Sequence, residues 1–235
     1  MKNIIFLFIS ILFTISAIAQ NKKETKNITT DNIHWYGQSA IRIDDGNLKI
    51  YIDPFKLPDS NLPKADLILI THSHFDHFSI GDIEKIRKST TKFFIPKDLS
   101  DKIKFEFTVV QSNKEYSFGK IKINTIPAYN LDKKFHPKAN DWVGYILTLS
   151  NGVRIYHAGD TDVTPETKEV KADIIFLPVG GTYTMTASEA AKLADIIQPK
   201  IAIPFHYGSA VGSDKDAETF KNESKVTVKI LNRER

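Results

Sequence analysis

The sequence has no cysteine among its 235 residues. Disulfides, thiolate chemistry and a lipid attached to a cysteine behind an export signal are therefore excluded. It also lacks an apolar run of the ~20 residues that a membrane-spanning helix needs. The one long candidate, Ile4 to Ile15, is too short. Charge of one sign is not gathered anywhere, because the 32 Lys and Arg are interleaved with 28 Asp and Glu instead of forming a basic stripe. Nucleic acid is not implied. Internal repeats and low-complexity segments are absent as well.

What is present starts with an export signal. Lys2, the apolar run Ile4 to Ile15 and the small-residue triplet Ala17-Ile18-Ala19 read as a secretory signal over 1–19, cleaved before Gln20. The mature chain is then periplasmic or secreted, with no stable membrane insertion expected. Loss of Lys2 lowers the formal charge of +4 by one. Residues 20–31, with Lys22, Lys23, Glu24 and Lys26, read as a flexible leader. The remaining 32–235 suit one α/β domain with a sizeable core.

That domain is organised around Leu67-Ile68-Leu69-Ile70-Thr71-His72-Ser73-His74-Phe75-Asp76-His77. The apolar part reads as a buried strand, and metal-capable side chains begin where it ends. If extended backbone persists, its period of two turns His72, His74 and Asp76 to one side, and a bend at Asp76-His77 brings the fourth group round. Crowding these groups is costly through desolvation and, when they are charged, repulsion, unless a divalent cation turns each into a ligand.

Around this stretch, strands and helices alternate. Ile33 to Phe55 reads as two or three antiparallel strands turning at Asp44-Asp45-Gly46-Asn47 and closed by Asp53-Pro54. Ile80 to Lys88 reads as a helix capped by Ser79. Thr91 to Ile95 and Phe107 to Val110 read as strands, with a short helix over Pro96 to Ile103 between them. Lys120 to Ile126, Val143 to Leu149 and Val153 to His157 read as strands, the last two joined by Ser150-Asn151-Gly152. Ala172 to Val179 is a buried strand and Ala187 to Gln198 a helix capped by Thr186 or Ser188. Ile201 to Phe205 is a strand, Lys215 to Lys221 a helix, and Val226 to Ile230 a last strand.

Other candidates sit at strand ends. Asp160, in Gly159-Asp160-Thr161, follows a strand with a glycine freeing the backbone. His206, in Pro204-Phe205-His206-Tyr207-Gly208, follows another, with Tyr207 a further candidate. Pro127-Ala128-Tyr129-Asn130 ends a third, and the loop beyond it offers Lys133, Lys134, His136 and Lys138. Gly180-Gly181-Thr182-Tyr183 links a strand to a helix and looks like a rim whose amides face an anion or simply cap a helix. His157 is expected to be packed, His34 structural, and Gln38 and Asp53 partners that orient ligand imidazoles.

His72-x-His74-x-Asp76-His77 resembles the signature of the metallo-β-lactamase superfamily, nearest the branch with L-ascorbate-6-phosphate lactonase and N-acyl-phosphatidylethanolamine phospholipase D. The resemblance runs from about His34 to about Ser213. It implies an α/β fold, the αβ/βα four-layer sandwich with two mixed sheets and helices outside. It also implies two divalent ions, zinc with manganese or iron as alternatives. His72, His74 and His136 would hold one, Asp76, His77 and His206 the other, and Asp160 would bridge.

The sequence departs from the pattern at Asn130, where the family often has histidine; either His136 or Asn130 fills that place. The implied activity is hydrolysis of a small ester, lactone or phosphodiester by a metal-bound hydroxide, with Asp76 also able to take a proton. Lys134 and Lys138 suggest an anionic substrate. The alternative is a non-catalytic secreted metal- or ligand-binding protein on the same fold.

Overall fold

The computed structural model describes residue 26, residues 28–59 and residues 62–234. The expected export signal lies outside these residues, as does most of the leader.

Two six-stranded sheets follow one another along the chain. The first contains β1 (Ile33–Gly37), β2 (Ala40–Asp45), β3 (Leu48–Ile52), β4 (Leu67–Leu69), β5 (Lys92–Pro96) and β6 (Thr108–Val110), side by side in that order. The β1-β2 and β2-β3 pairs are antiparallel and the rest parallel. The second contains β7 (Glu115–Phe118), β8 (Ile121–Pro127), β9 (Val143–Thr148), β10 (Arg154–His157), β11 (Ile174–Pro178) and β12 (Ile201–Phe205). Here β7 to β10 pair antiparallel and β10-β11-β12 parallel.

Period-two alternation sets the layers. Ile50 and Ile52 of β3 and Leu67 and Leu69 of β4 join one core cluster with Ile123 of β8 and Leu147 of β9. Tyr51 and Ile68 point the other way, into a cluster with Ile83 and Ile86 of α1 (Ile80–Ile86). Shortening one of these fully buried side chains, as in Ile68→Ala, should cost about 2–5 kcal/mol. On the second sheet, α3 (Ala187–Ile197) packs on β11 through a face rich in alanine, which lets helix and sheet approach closely. The result is helix, sheet, sheet, helix. A short α2 (Pro165–Lys168) and α4 (Asp214–Glu223) complete the helices of the described residues.

Ser79 caps α1 and Thr186 caps α3, the latter in a reciprocal capping box with Glu189. Three expectations need correction, and one strand was not expected. β4 stops at Leu69, and the ligand candidates beyond it lie on a turn in which His77 and Phe78 amides both donate to the His74 carbonyl, at 3.0 Å each, not on extended backbone. Pro96 to Ile103 forms only a 3₁₀ turn, Lys97–Leu99.

Val226 to Ile230 makes a single bridge, Ala202 with Val228, because the tail then leaves the second sheet to bond Trp35 on the first. β7 went unanticipated: Glu115-Tyr116-Ser117-Phe118 alternates, with Tyr116 and Phe118 packed on the core, but four residues make a short signal.

Candidate metal centre

The ends of β3, β4, β8, β10 and β12 open on one edge of the sandwich. Asp53, His72, Asn130, Asp160 and His206 each lie within a few residues of one of these ends. Asp160 is at the middle. Its Oδ2 lies 3.1 Å from His206 Nε2, 3.3 Å from His136 Nε2 and 3.8 Å from His72 Nε2, and its Oδ1 lies 3.2 Å from His77 Nε2. Asp76 Oδ2 is 3.3 Å from His206 Nε2. Ligand-capable atoms within 4.8 Å of one another form the triads His72/His74/His136, His72/His77/Asp160 and Asp76/His77/His206.

The rings are held from behind. Asp53 Oδ2 accepts from His77 Nδ1 at 2.7 Å and from the Thr71 hydroxyl at 2.7 Å, and its Oδ1 accepts from the Thr71 amide at 2.7 Å. With its proton given to Asp53, the Thr71 hydroxyl accepts from His72 Nδ1 at 3.0 Å. Asn130 Oδ1 accepts from His136 Nδ1 at 2.9 Å and from the His136 amide at 3.1 Å, while Asn130 Nδ2 donates to the Tyr183 carbonyl at 3.0 Å. These bonds fix the proton on Nδ1 of His72, His77 and His136 and turn each Nε2 lone pair to the centre. His136 Nε2 thus faces Asp160, and Asn130 Oδ1 faces His136.

The donor set fits a divalent cation on one observation. Nε2 of His72, His77 and His136, both ring nitrogens of His206 and Oδ1 of Asp160 are buried without a hydrogen-bond partner. Each such orphan costs about 1–3 kcal/mol, and cations at the centre would satisfy all of them except Nδ1 of His206, whose ring turns Nε2 to the two aspartates. Electrostatics agree. Burial would raise the Asp160 carboxyl, yet His206 and His77 hold it well below the usual range. Burial would also raise Asp76, but the His206 contact and His77 bring it to about 2.

Burial pushes His72 and His74 down, whereas at His77 and His206 the Asp160 charge overcomes burial and pushes them up. Gln38, Asp53 and His206 all have left-handed backbones, at φ 47°, 48° and 60°. Such strain, about 1–3 kcal/mol per residue, persists where surrounding contacts impose it, and it is common at functional sites. Gln38 shows the contacts: Nε2 donates to Asp76 Oδ2 at 2.9 Å, and its carbonyl accepts from the His206 amide at 3.0 Å. Gly180 has to be glycine, since a Cβ there would meet the His206 carbonyl at 2.5 Å.

His74, Asp76, His136, Asp160 and His206 form the floor of a cavity of about 300 Å³, and Phe75, Phe135, Tyr183, Ala210 and Val211 wall it. Several candidates are elsewhere. Tyr207 packs on Trp35, ring centres 4.9 Å apart, and faces a different depression. Thr182 is exposed, and neither it nor Lys134 nor Lys138 is among the lining residues.

Lys138 pairs with Glu166 at 2.9 Å and Lys133 with Asp162 at 2.6 Å, so these two lysines are turned from the cavity although Phe135 and His136 of the same loop line it. The amides of Gly181, Thr182 and Thr184 are spent on Met185, Gly180 and Gly181 carbonyls and offer no anion cradle. Three contributors were missed. Thr71 relays between Asp53 and His72. Trp142 packs against His72 and His74 with ring centres 5.0 and 4.9 Å away. Asp98 ties Ser73 Oγ to Trp142 Nε1. Only Thr71, inside the organising stretch, was within reach of sequence reasoning.

Residues 32–206 match the family described as the beta-lactamase superfamily domain. A UPF0173 metal-dependent hydrolase of Archaeoglobus fulgidus is 32% identical over 213 residues, 83% of this chain and 90% of that protein. A Parabacteroides distasonis structure, described as a metal-dependent hydrolase, superposes with a TM-score of 0.77 at 35% identity, covering 86% of this chain and 93% of that one. The metallo-β-lactamase fold protein of Bacillus subtilis superposes at 0.65 with 12% identity over 85% and 91% of the two chains, which speaks to the fold alone.

Proposed function

We propose, from the premise that this chain belongs to the beta-lactamase superfamily and within it to the UPF0173 metal-dependent hydrolases, that it hydrolyses a small ester, lactone or phosphodiester at a two-ion centre. The observation that carries this reading is the ring of buried, unpartnered imidazole nitrogens around Asp160. His72, His74 and His136 would hold one ion and Asp76, His77 and His206 the other, with Asp160 between them. Zinc suits the imidazole and carboxylate donors, and manganese and iron are the alternatives. Bound there, divalent ions would supply Lewis acidity, lowering the pKa of water and polarising the substrate oxygen that takes up charge.

The chain's own residues do the rest. Asp53, Thr71 and Asn130 keep the Nδ1 protons of His77, His72 and His136 in place, so none of these three imidazoles turns its N–H to the centre. Gln38 fixes Asp76 by Oδ2, and the other carboxylate oxygen is assigned to hold the proton that water gives up. Trp142 closes off the rings on one side. The alternative, a non-catalytic binding protein, rested on the irregular position at Asn130, and His136 accounts for that irregularity. We further infer export from residues 1–19, which places the reaction in the periplasm or outside the cell. Metal analysis of purified protein, then a screen of esters, lactones and phosphodiesters with His136→Ala as control, tests the reading. Absence of bound metal together with metal-independent turnover contradicts it.

A further inference from the structure

Of the seven large hydrophobic side chains exposed among the described residues, Phe75, Phe135 and Tyr183 all stand at the mouth of the cavity over Asp160. Exposed aromatics scattered singly need no explanation, but three around one opening beside a reactive floor do. They are held in place. Phe75 is 71% exposed yet packs its ring edge on Phe55, centres 5.9 Å apart. Phe135 meets Tyr183 edge-on at 4.6 Å. Each is also tied to the centre by the backbone: Phe75 lies between His74 and Asp76, Phe135 precedes His136, and the Tyr183 carbonyl receives the Asn130 side chain that supports His136. No Lys or Arg is among the residues lining the cavity, and Val211 continues the apolar wall.

Building on the hydrolytic reading, we infer that the substrate carries an uncharged, ring-sized apolar group, which Phe75, Phe135 and Tyr183 grip while its ester, lactone or phosphodiester bond rests on the floor. A volume of about 300 Å³ admits a small molecule of this kind and no folded partner. The wall is the specificity element, and the lysines that flank Phe135 are not. Because the wall consists of side chains and needs no ion, its grip on a ring is separable from turnover.

The experiment compares acetophenone with acetone, which have no bond to hydrolyse, by ligand-observed NMR with and without zinc, in wild type, Phe75→Ala and Phe135→Ala. Both substitutions remove exposed rings, so folding is retained and checked by thermal melting. Acetophenone is expected to bind about tenfold more tightly than acetone, and each substitution to remove most of that preference. In parallel, the ratio of kcat/KM for methyl phenylacetate over methyl acetate, which share a leaving group, should fall by a similar factor. A ring preference lost in the variants, with neither ester hydrolysed, would uphold the wall and sink the hydrolytic reading.

Both esters hydrolysed without ring preference would overturn the wall and leave hydrolysis standing. Tighter binding of 4-acetylbenzoate than of acetophenone would also overturn it, by showing that charge is preferred. So would sedimentation with phosphatidylcholine vesicles that Phe75→Ala abolishes while acetophenone stays unbound, which would assign the rings to a lipid surface.

Discussion

The two sheets deliver their shares of the centre in different ways. The first supplies His72, His74, Asp76 and His77 from one turn after β4, braced beneath by Asp53 and Thr71, both fully buried. The second supplies His136, Asp160 and His206 from separate connections, and His136 sits on a long, mostly exposed loop between β8 and β9. The brace of the first group is a buried carboxylate accepting three hydrogen bonds, and that of His136 is one neutral amide. Buried ionic bracing is unforgiving when one partner is lost, whereas a neutral amide on a loop is replaceable. The first half is therefore the rigid frame of the centre and the His136 side its adjustable part.

The largest expected effect comes from removing the group both halves share: Asp160→Ala should abolish bound metal and hydrolysis, as should His72→Ala. Metal content and activity measured together check it. Next, Asp53→Asn tolerates the left-handed backbone but removes the charge that takes the His77 and Thr71 protons. It should destabilise the fold by about 3 kcal/mol, read by urea unfolding, and release metal. Asn130→Ala should weaken metal by about 10–100-fold with little loss of stability, and His136→Ala should weaken it more. Equal stability losses for Asp53→Asn and Asn130→Ala would erase the contrast between frame and loop.

A third brace crosses between the sheets. His157 of β10 donates from Nε2 to the Ser39 carbonyl at 3.2 Å and accepts at Nδ1 from the Gly159 amide at 3.3 Å, and Ser39 Oγ donates to the Asp76 carbonyl at 2.6 Å. Burial drives its pKa from 6.5 down to about 4. The unfolded chain then binds the extra proton between those values, so stability rises with pH from about 4 to 6.5, by about 3 kcal/mol in all, and is flat on this account outside that window. Urea unfolding of metal-free wild type and His157→Phe across pH 4–7 should show the steeper slope in wild type. The smallest effect is expected for Lys134→Ala with Lys138→Ala, whose kcat/KM should change by less than about twofold on neutral and anionic esters alike.

The contrast also explains what could be read from the chain. Four candidates within six residues are legible because sequence neighbours after a buried strand stay neighbours in space. The sandwich was legible for the same reason: β4, β11 and β12 are short apolar runs, and the Ser79 and Thr186 caps are local chemistry. His136 was only one of two choices, since the hydrogen bond from its Nδ1 to Asn130 Oδ1 joins residues whose side-chain directions the sequence does not show. Tyr207 and the lysines were misplaced because strand-end position and charge say nothing about which way a side chain leaves the backbone. Phe75 and Phe135 carried no signal of their own. Exposed aromatics resemble core aromatics until the fold shows what they surround.

The most direct measurement of the central claim is imidazole ¹⁵N NMR of the protein before and after zinc is added to saturation. The account predicts that Nε2 of His72, His77 and His136 shift to the metal-coordinated range while their Nδ1 protons, held by Thr71, Asp53 and Asn130, stay visible and slow to exchange. Zinc that leaves these Nε2 signals unmoved, or that coordinates through Nδ1, would contradict it.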